Sequence, residues 1–287
     1  MPSLSTDPQR PQAGDPFRLA PTRPNEAGKT VTKYAVLVTG HAPEHIEAEF
    51  GDAGTLFKQL LEDEHENEAW HVFYPADGHM PTDDMLQGYK GIVVSGSRAD
   101  SFATDPWNMQ LRALLKTAFD RQQRILGICF GDQLMSITLG GKVGRSEAGF
   151  EGGARTLKTT PAFKQQWFAE AFPHGWEFKL HETHNDRIME VPDAISVLAY
   201  SENTPVQMCC SGDHFLGLQG HPEITEEFMY KDLQERIETG ALPKDVGEAA
   251  LQSMRTNRVS PEERAAVQKL VKTFLKGDHP RGLKVFR

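Results

Sequence analysis

Cysteine is scarce in this chain: three residues in 287, Cys129, Cys209 and Cys210, two of them adjacent. So small and uneven a set cannot build a disulfide framework, and a reducing compartment, the cytoplasm, is the expected home. No apolar run approaches the roughly eighteen residues that a spanning helix needs, so no membrane partner is expected. Positive charge is also short. Lysine and arginine number 31 against 40 aspartates and glutamates, a net charge of −9, which argues against a nucleic-acid partner. The N-terminal stretch shows no apolar signal core, and Lys284-Val285-Phe286-Arg287 matches no retention or peroxisomal tag.

What the chain does have is a distinctive turn, Arg124-Ile125-Leu126-Gly127-Ile128-Cys129-Phe130-Gly131-Asp132-Gln133. An apolar run ends at Cys129, and Leu134, Met135, Ile137 and Leu139 follow with helical spacing, so Cys129 is expected where a buried strand turns into a helix. Gly127 and Gly131 remove the Cβ atoms that would clash in so sharp a bend, as in the Gly-x-Ser-x-Gly nucleophile elbow. The first N–H groups of the helix favour a thiolate, and the N–H of Phe130 is placed to bind an oxyanion. A buried structural cysteine between two glycines is the alternative reading. A second stretch, Gln219-Gly220-His221-Pro222-Glu223, supplies what a thiol nucleophile needs: His221 as base and Glu223 to orient it, on a turn stiffened by Pro222.

Gly-Ile-Cys-Phe-Gly-x-Gln followed about ninety residues later by Gly-His-Pro-Glu resembles the class I glutamine amidotransferases, and among them most resembles the stand-alone γ-glutamyl peptidases. Four stretches carry the resemblance across about residues 33–240: Ser95-Gly96-Ser97 with Asp105-Pro106-Trp107, the elbow, Gly140 to Arg145, and Gln219 to Glu223. It implies a doubly wound, mostly parallel α/β sheet with helices on both faces and an antiparallel extension. It also implies a Cys129, His221 and Glu223 triad, with an oxyanion hole from the N–H groups of Gly96 or Ser97 and of Phe130. Gln133 would help to hold substrate, and His184, in a loop near the site, would contact substrate or serve a structural role. Asp132 stands where the family commonly has histidine, and an anion there would oppose the thiolate.

Residues 1–30 carry prolines at 2, 8, 11, 16, 21 and 24 and are expected to form a disordered or surface-draped arm. Residues 31–240 are expected to form the catalytic domain and 241–287 a helical tail, there for packing or self-association. Ala35–Thr39, Trp70–Tyr74 and Gly91–Ser95 read as buried strands, and Ile46, Phe50, Phe57, Leu60 and Leu61 as one helix. Asp105 is a candidate N-cap before Pro106. Gly149 to Gly153 reads as a flexible loop and Phe163 to Phe172 as a helix or lid, and by analogy with the resembled family residues 142–180 would wall the substrate pocket. Ile195–Tyr200, Val206–Cys209 and Phe215–Leu218 read as the antiparallel extension, with Cys209 and Cys210 on opposite faces. His41, at a strand end, reads as a loop residue.

The His181-Glu182-Thr183-His184 spacing does not match the zincin pattern, and neither metal nor cofactor is expected. Arg98 is a candidate for a bidentate contact to a substrate carboxylate. Attack by Cys129 on a γ-glutamyl carbonyl gives the same thioester from a small γ-glutamyl peptide or from glutamine. The expected function is hydrolysis of glutathione-type γ-glutamyl bonds. The alternatives are a glutaminase serving a separate synthase partner and a non-catalytic binding protein.

Overall fold

The protein is described from a computed structural model, which covers residues 18, 19, 31–63, 66–172 and 177–277. In chain order the strands are β1 (Arg18–Leu19), β2 (Thr32–Leu37), β3 (Glu68–Phe73), β4 (Gly91–Val94), β5 (Arg124–Ile128), β6 (Lys142–Arg145), β7 (Glu151–Thr159), β8 (Glu177–His184), β9 (Asp186–Glu190), β10 (Ser196–Tyr200), β11 (Met208–Ser211) and β12 (Phe215–Leu218). The helices are α1 (Glu44–Phe50), α2 (Ala53–Leu61), α3 (Asp83–Leu86), α4 (Pro106–Asp120), α5 (Phe130–Thr138), α6 (Glu226–Glu238), α7 (Lys244–Thr256) and α8 (Pro261–Lys276).

One ten-stranded sheet runs β1-β3-β2-β4-β5-β12-β11-β10-β7-β8, with β6 and β9 as a separate antiparallel pair. Its centre, β3 to β12, is parallel, and its flanks are antiparallel. The central strands are buried on both faces, which is why they read as continuous apolar runs. Alternate residues divide between two cores. Tyr34, Val36 and Val93 join α2 and α8 on one face, while Ala35, Leu37, Ile92 and Val94 join α4 and α5 on the other. Cys209 and Cys210 likewise fall in opposite cores. A third cluster joins α6 and α7 to Ala154 of β7.

Several local expectations are corrected. The first central strand runs from Thr32 to Leu37 rather than 35–39. The helix expected over 46–61 is two, α1 and α2, broken at Gly51, whose φ is +88°. Asp105 stands at the cap position of α4, but its side chain makes no capping bond. Much of the arm expected over 1–30 lies outside the described residues, although Arg18–Leu19 pairs with β3. The glycine-rich stretch at 149–153 runs into β7, since glycine's small size suits close packing on a neighbour: a Cβ on Gly153 would lie 2.3 Å from the Ala250 carbonyl oxygen of α7. Phe163–Gln165 and Trp167–Ala171 are short 3₁₀ turns that pack into the core against α8, and no described residue of 142–180 walls the cavity described below. Phe215–Leu218 pairs parallel with β5, so it belongs to the central sheet as well as opening the antiparallel flank.

Residues beyond 240 form α7 and α8, and α8 is part of the main core. A capping box at Ser260 and Glu263 starts it, and Val267, Leu270, Val271, Phe274 and Leu275 are all fully buried. Phe274 meets Phe168 edge to face at 5.4 Å. Phe274→Ala should therefore lower the unfolding free energy by about 3–5 kcal/mol in urea titration, the cost of a truncated buried aromatic.

Candidate active site

The elbow has the conformation its glycines predict. β5 ends at Ile128, α5 begins at Phe130, and Cys129 between them sits at φ +50° and ψ −102°. A non-glycine residue there costs roughly 1–3 kcal/mol and persists only if its surroundings enforce it. Those surroundings are tight. A Cβ on Gly127 would lie 2.7 Å from the Gly131 carbonyl carbon, and one on Gly131 would lie 2.4 Å from the Val94 carbonyl oxygen. The Cys129 N–H donates to the Leu218 carbonyl (2.7 Å), tying the elbow to the end of β12.

That pairing delivers the second stretch. Because β5 and β12 are parallel, with Ile128 opposite Leu218, the chain leaves both at the carboxyl edge of the sheet. Ligands gather at that edge in open α/β folds. His221 Nδ1 lies 2.7 Å from Glu223 Oε1, which leaves Nε2 available on the side of Cys129, without a geometric hydrogen-bond partner among the described residues. Burial alone would keep His221 neutral; the Glu223 carboxylate and the Cys129 sulfur outweigh it and raise its pKa well above that of ordinary imidazole. The turn is held from behind by α8, where Gln268 Nε2 donates to the Pro222 carbonyl (3.1 Å) and Arg264 Nη2 to that of Glu223 (3.4 Å).

The third part is the loop after β4. Thr39 N–H donates to Ser95 Oγ (2.9 Å), and Ser97 Oγ donates to the Thr39 carbonyl (2.8 Å), so two strand ends are laced together. Gly96 lies against the pair: a Cβ there would come 2.9 Å from His221 Cε1 and 3.5 Å from Cys129 Cβ.

Cys129, His221, Glu223, Gly96, Ser97 and Arg98 line one cavity. Phe130 turns its ring away onto Trp107, leaving its N–H at the start of α5. Gln133 and His184 do not line the cavity. Gln133 Nε2 donates inward to the Asp186 carbonyl (3.1 Å) and to Gln219 Oε1 (2.9 Å). His184 is the last residue of β8 rather than part of a loop, and it is buried.

The cavity also takes in residues that pattern reading missed or set aside. Leu56, Ile224 and Phe228 supply apolar wall, and Asp232 of α6 places two guanidinium groups. It accepts from Arg98 Nη2 at 2.7 Å and lies 2.9 Å from Arg236 Nε. No sequence signal joins Arg98 to Asp232. His41 is a third cation on the wall, with its ring nitrogens 3.1 Å from Glu47 Oε1 and 2.9 Å from Asp77 Oδ2. The bond to Glu47 is the main reason its pKa rises to about 9, against burial and with help from Asp77.

Fold and site together define the glutamine-amidotransferase-like class of α/β enzymes. The sequence profile described as "Glutamine amidotransferase class-I" matches residues 52–235. γ-Glutamyl peptidase 5 of Arabidopsis thaliana is 35% identical over 214 residues, 74% of this chain and 83% of the relative. A glutamine-hydrolysing GMP synthase of Paraburkholderia phymatum is 30% identical over 173 residues, 58% of this chain and 32% of that enzyme. A glutamine amidotransferase of Thermotoga maritima superposes with a TM-score of 0.63 at 20% identity, covering 85% of this chain and 98% of the other, which shows the shared fold. The chain belongs to the class-I glutamine amidotransferase family and is an enzyme of the hydrolase type.

His41 gives a pH test of the cavity wall. Its folded-state pKa, about 9, lies above the ordinary 6.5, so its contribution to stability is complete below about pH 6.5 and fades as pH rises through 9. His41→Gln should unfold at lower urea than the unaltered protein at pH 6, and the gap should narrow by pH 10.

Proposed function

We propose that the chain is a cysteine-dependent hydrolase of γ-glutamyl amide bonds, acting through a glutamyl thioester at Cys129. The observation that carries this reading is the meeting of Cys129, His221, Glu223 and Gly96 on one cavity at the carboxyl edge of the parallel sheet. His221 takes the thiol proton through Nε2, the nitrogen that Glu223 leaves free. Glu223 holds the tautomer and stabilises the imidazolium. Cys129 Sγ attacks the γ-carbonyl, and the charge that develops on its oxygen meets the N–H of Phe130 and that of Gly96 or Ser97. His221 returns the proton to the departing amine, then activates the water that cleaves the thioester.

The cavity extends past the nucleophile to the cations Arg98, Arg236 and His41 and the apolar Leu56 and Phe228. Such a wall suits a leaving group larger than ammonia that carries a carboxylate, as in glutathione-type peptides, with Arg98 as its contact. This and the likeness to a γ-glutamyl peptidase favour peptides over glutamine. The second reading, a glutaminase serving a separate synthase, is favoured by the partial match to a GMP synthase. Gln133, bonded inward, acts by holding the floor of the site.

The test is glutamate release from glutamine, glutathione and a glutathione S-conjugate, followed separately by mass spectrometry. Release from the peptides and not from glutamine is the expected result; release from glutamine alone favours the glutaminase, and release from none removes the hydrolase reading. Cys129→Ala should lower the rate by a factor on the order of 10⁴ or more, as for other nucleophile deletions. Arg98→Ala should raise KM for glutathione roughly tenfold with kcat little changed, the value of one charged contact. An unchanged KM removes Arg98 from the binding site.

A further inference from the structure

One charged residue stands where the packing of α6 calls for an apolar one. The helix buries Met229, Asp232 and Leu233, the spacing of a single core-facing stripe, and Asp232 is 4% exposed. A carboxylate kept from water at such a position is unfavourable unless cations meet it. Two do. Oδ1 accepts from Arg98 Nη2 at 2.7 Å, and Oδ2 lies 2.9 Å from Nε of Arg236, one turn further along the same helix. Both oxygens are thus engaged, and all three side chains line the cavity that holds Cys129.

The two guanidinium groups are held to different degrees. Arg236 is largely buried, with Cζ 5.9 Å from the centre of the Phe150 ring. The Arg98 side chain is 45% exposed, and a guanidinium has five N–H donors, so the bond to Asp232 leaves others for a ligand. Charge balance favours an anion there. One carboxylate on the wall faces two guanidinium groups, whereas His41 is itself matched by two carboxylates, Glu47 and Asp77. Glu235 Oε2 comes only within 3.8 Å of Arg98 Nη2 and is not on the wall. The position suits a short leaving group. Gly96, whose Cβ would lie 3.5 Å from Cys129 Cβ, is two residues before Arg98, within about 7.6 Å by Cα spacing. A leaving peptide of one or two residues spans roughly 3–7 Å.

Resting on the reading of Cys129 as the nucleophile of a γ-glutamyl hydrolase, we infer that Asp232 is a positioning residue, which holds Arg98 and Arg236 as a preformed receptor for the terminal carboxylate of the leaving peptide. An unanchored arginine loses rotamer freedom when it meets a carboxylate, and the bond to Asp232 removes that loss before substrate arrives. Asp232 therefore acts through Arg98 and not on the reacting atoms. A peptide that ends in a carboxylate engages the pair; one that ends in a neutral amide presents no charge to it.

The test compares glutathione with its C-terminal amide, which differs only at the terminal carboxylate, as substrates of the full chain. The unaltered protein should show a KM about tenfold lower for the acid, as one charge-assisted contact implies. Asp232→Asn, nearly isosteric, should raise KM for glutathione about fivefold towards that of the amide, with kcat on both peptides little changed. A purely structural role for Asp232 lowers kcat on both alike and keeps their KM ratio, and that result overturns the inference. If Asp232→Asn does not fold, Arg98→Lys decides the matter at a half-exposed position: it keeps the charge without the fork, and an unchanged KM ratio in it also overturns the inference. Calorimetry on Cys129→Ala, which cannot turn over, separates the receptor from the reaction. Tighter binding of glutathione than of the amide, lost with Asp232→Asn, sustains the receptor even where no glutamate is released; equal binding of the two removes it, whatever the rate.

Discussion

The backbone of Cys129, held at φ +50°, is the constraint from which the rest of the site follows. That conformation is unfavourable by itself, so the fold must enforce it from every side. β4 presses on the neighbouring Gly131 through the Val94 carbonyl, β12 ties Cys129 through the Leu218 carbonyl, and α5 departs from it at once. In return the turn sets the sulfur at the sheet edge and aims a helix N-terminus at the space beside it. Any residue with a Cβ at 127 or 131 would push strand and helix apart.

The remaining parts of the site arrive by packing. Parallel pairing of β5 with β12 brings positions about ninety residues apart to one edge. The bonds between Thr39, Ser95 and Ser97 fix the facing loop, and Gly96 lets it approach the imidazole closely. α8 lies outside the stretch that matches the family profile, yet it fills one of the two main cores and holds the carbonyls of the His-Pro-Glu turn. In this chain the same helix thus serves stability and the geometry of the site.

The interior behind the elbow is polar where a simple account would make it apolar. Asp132, Glu151, Glu182 and His184 are buried together, and Gly217 and Gly220 are the space they occupy. Seen as residues in a strand, these two glycines weaken it. Seen against the carboxyl groups beside them, they are what leaves room for Asp132 and Glu182 in the interior.

The sequence by itself determined the elements whose cause is local: buried parallel strands from their apolar runs, the elbow from its two glycines, and the pairing of His221 with Glu223 from a two-residue spacing. It also determined the sheet class and the family, because short-range sterics leave a pattern that can be read residue by residue. It did not determine β7 and β8, where glycines and charged residues that suggest loops are drawn into strands by their neighbours. Nor could it turn Gln133 and His184 inward, bury Asp132 against the Cys209 thiol, or join Arg98 to an aspartate 134 positions away. Those depend on burial and on contacts between distant segments, and the free energy of a charge or an amide is set by what surrounds it, which only the tertiary structure decided.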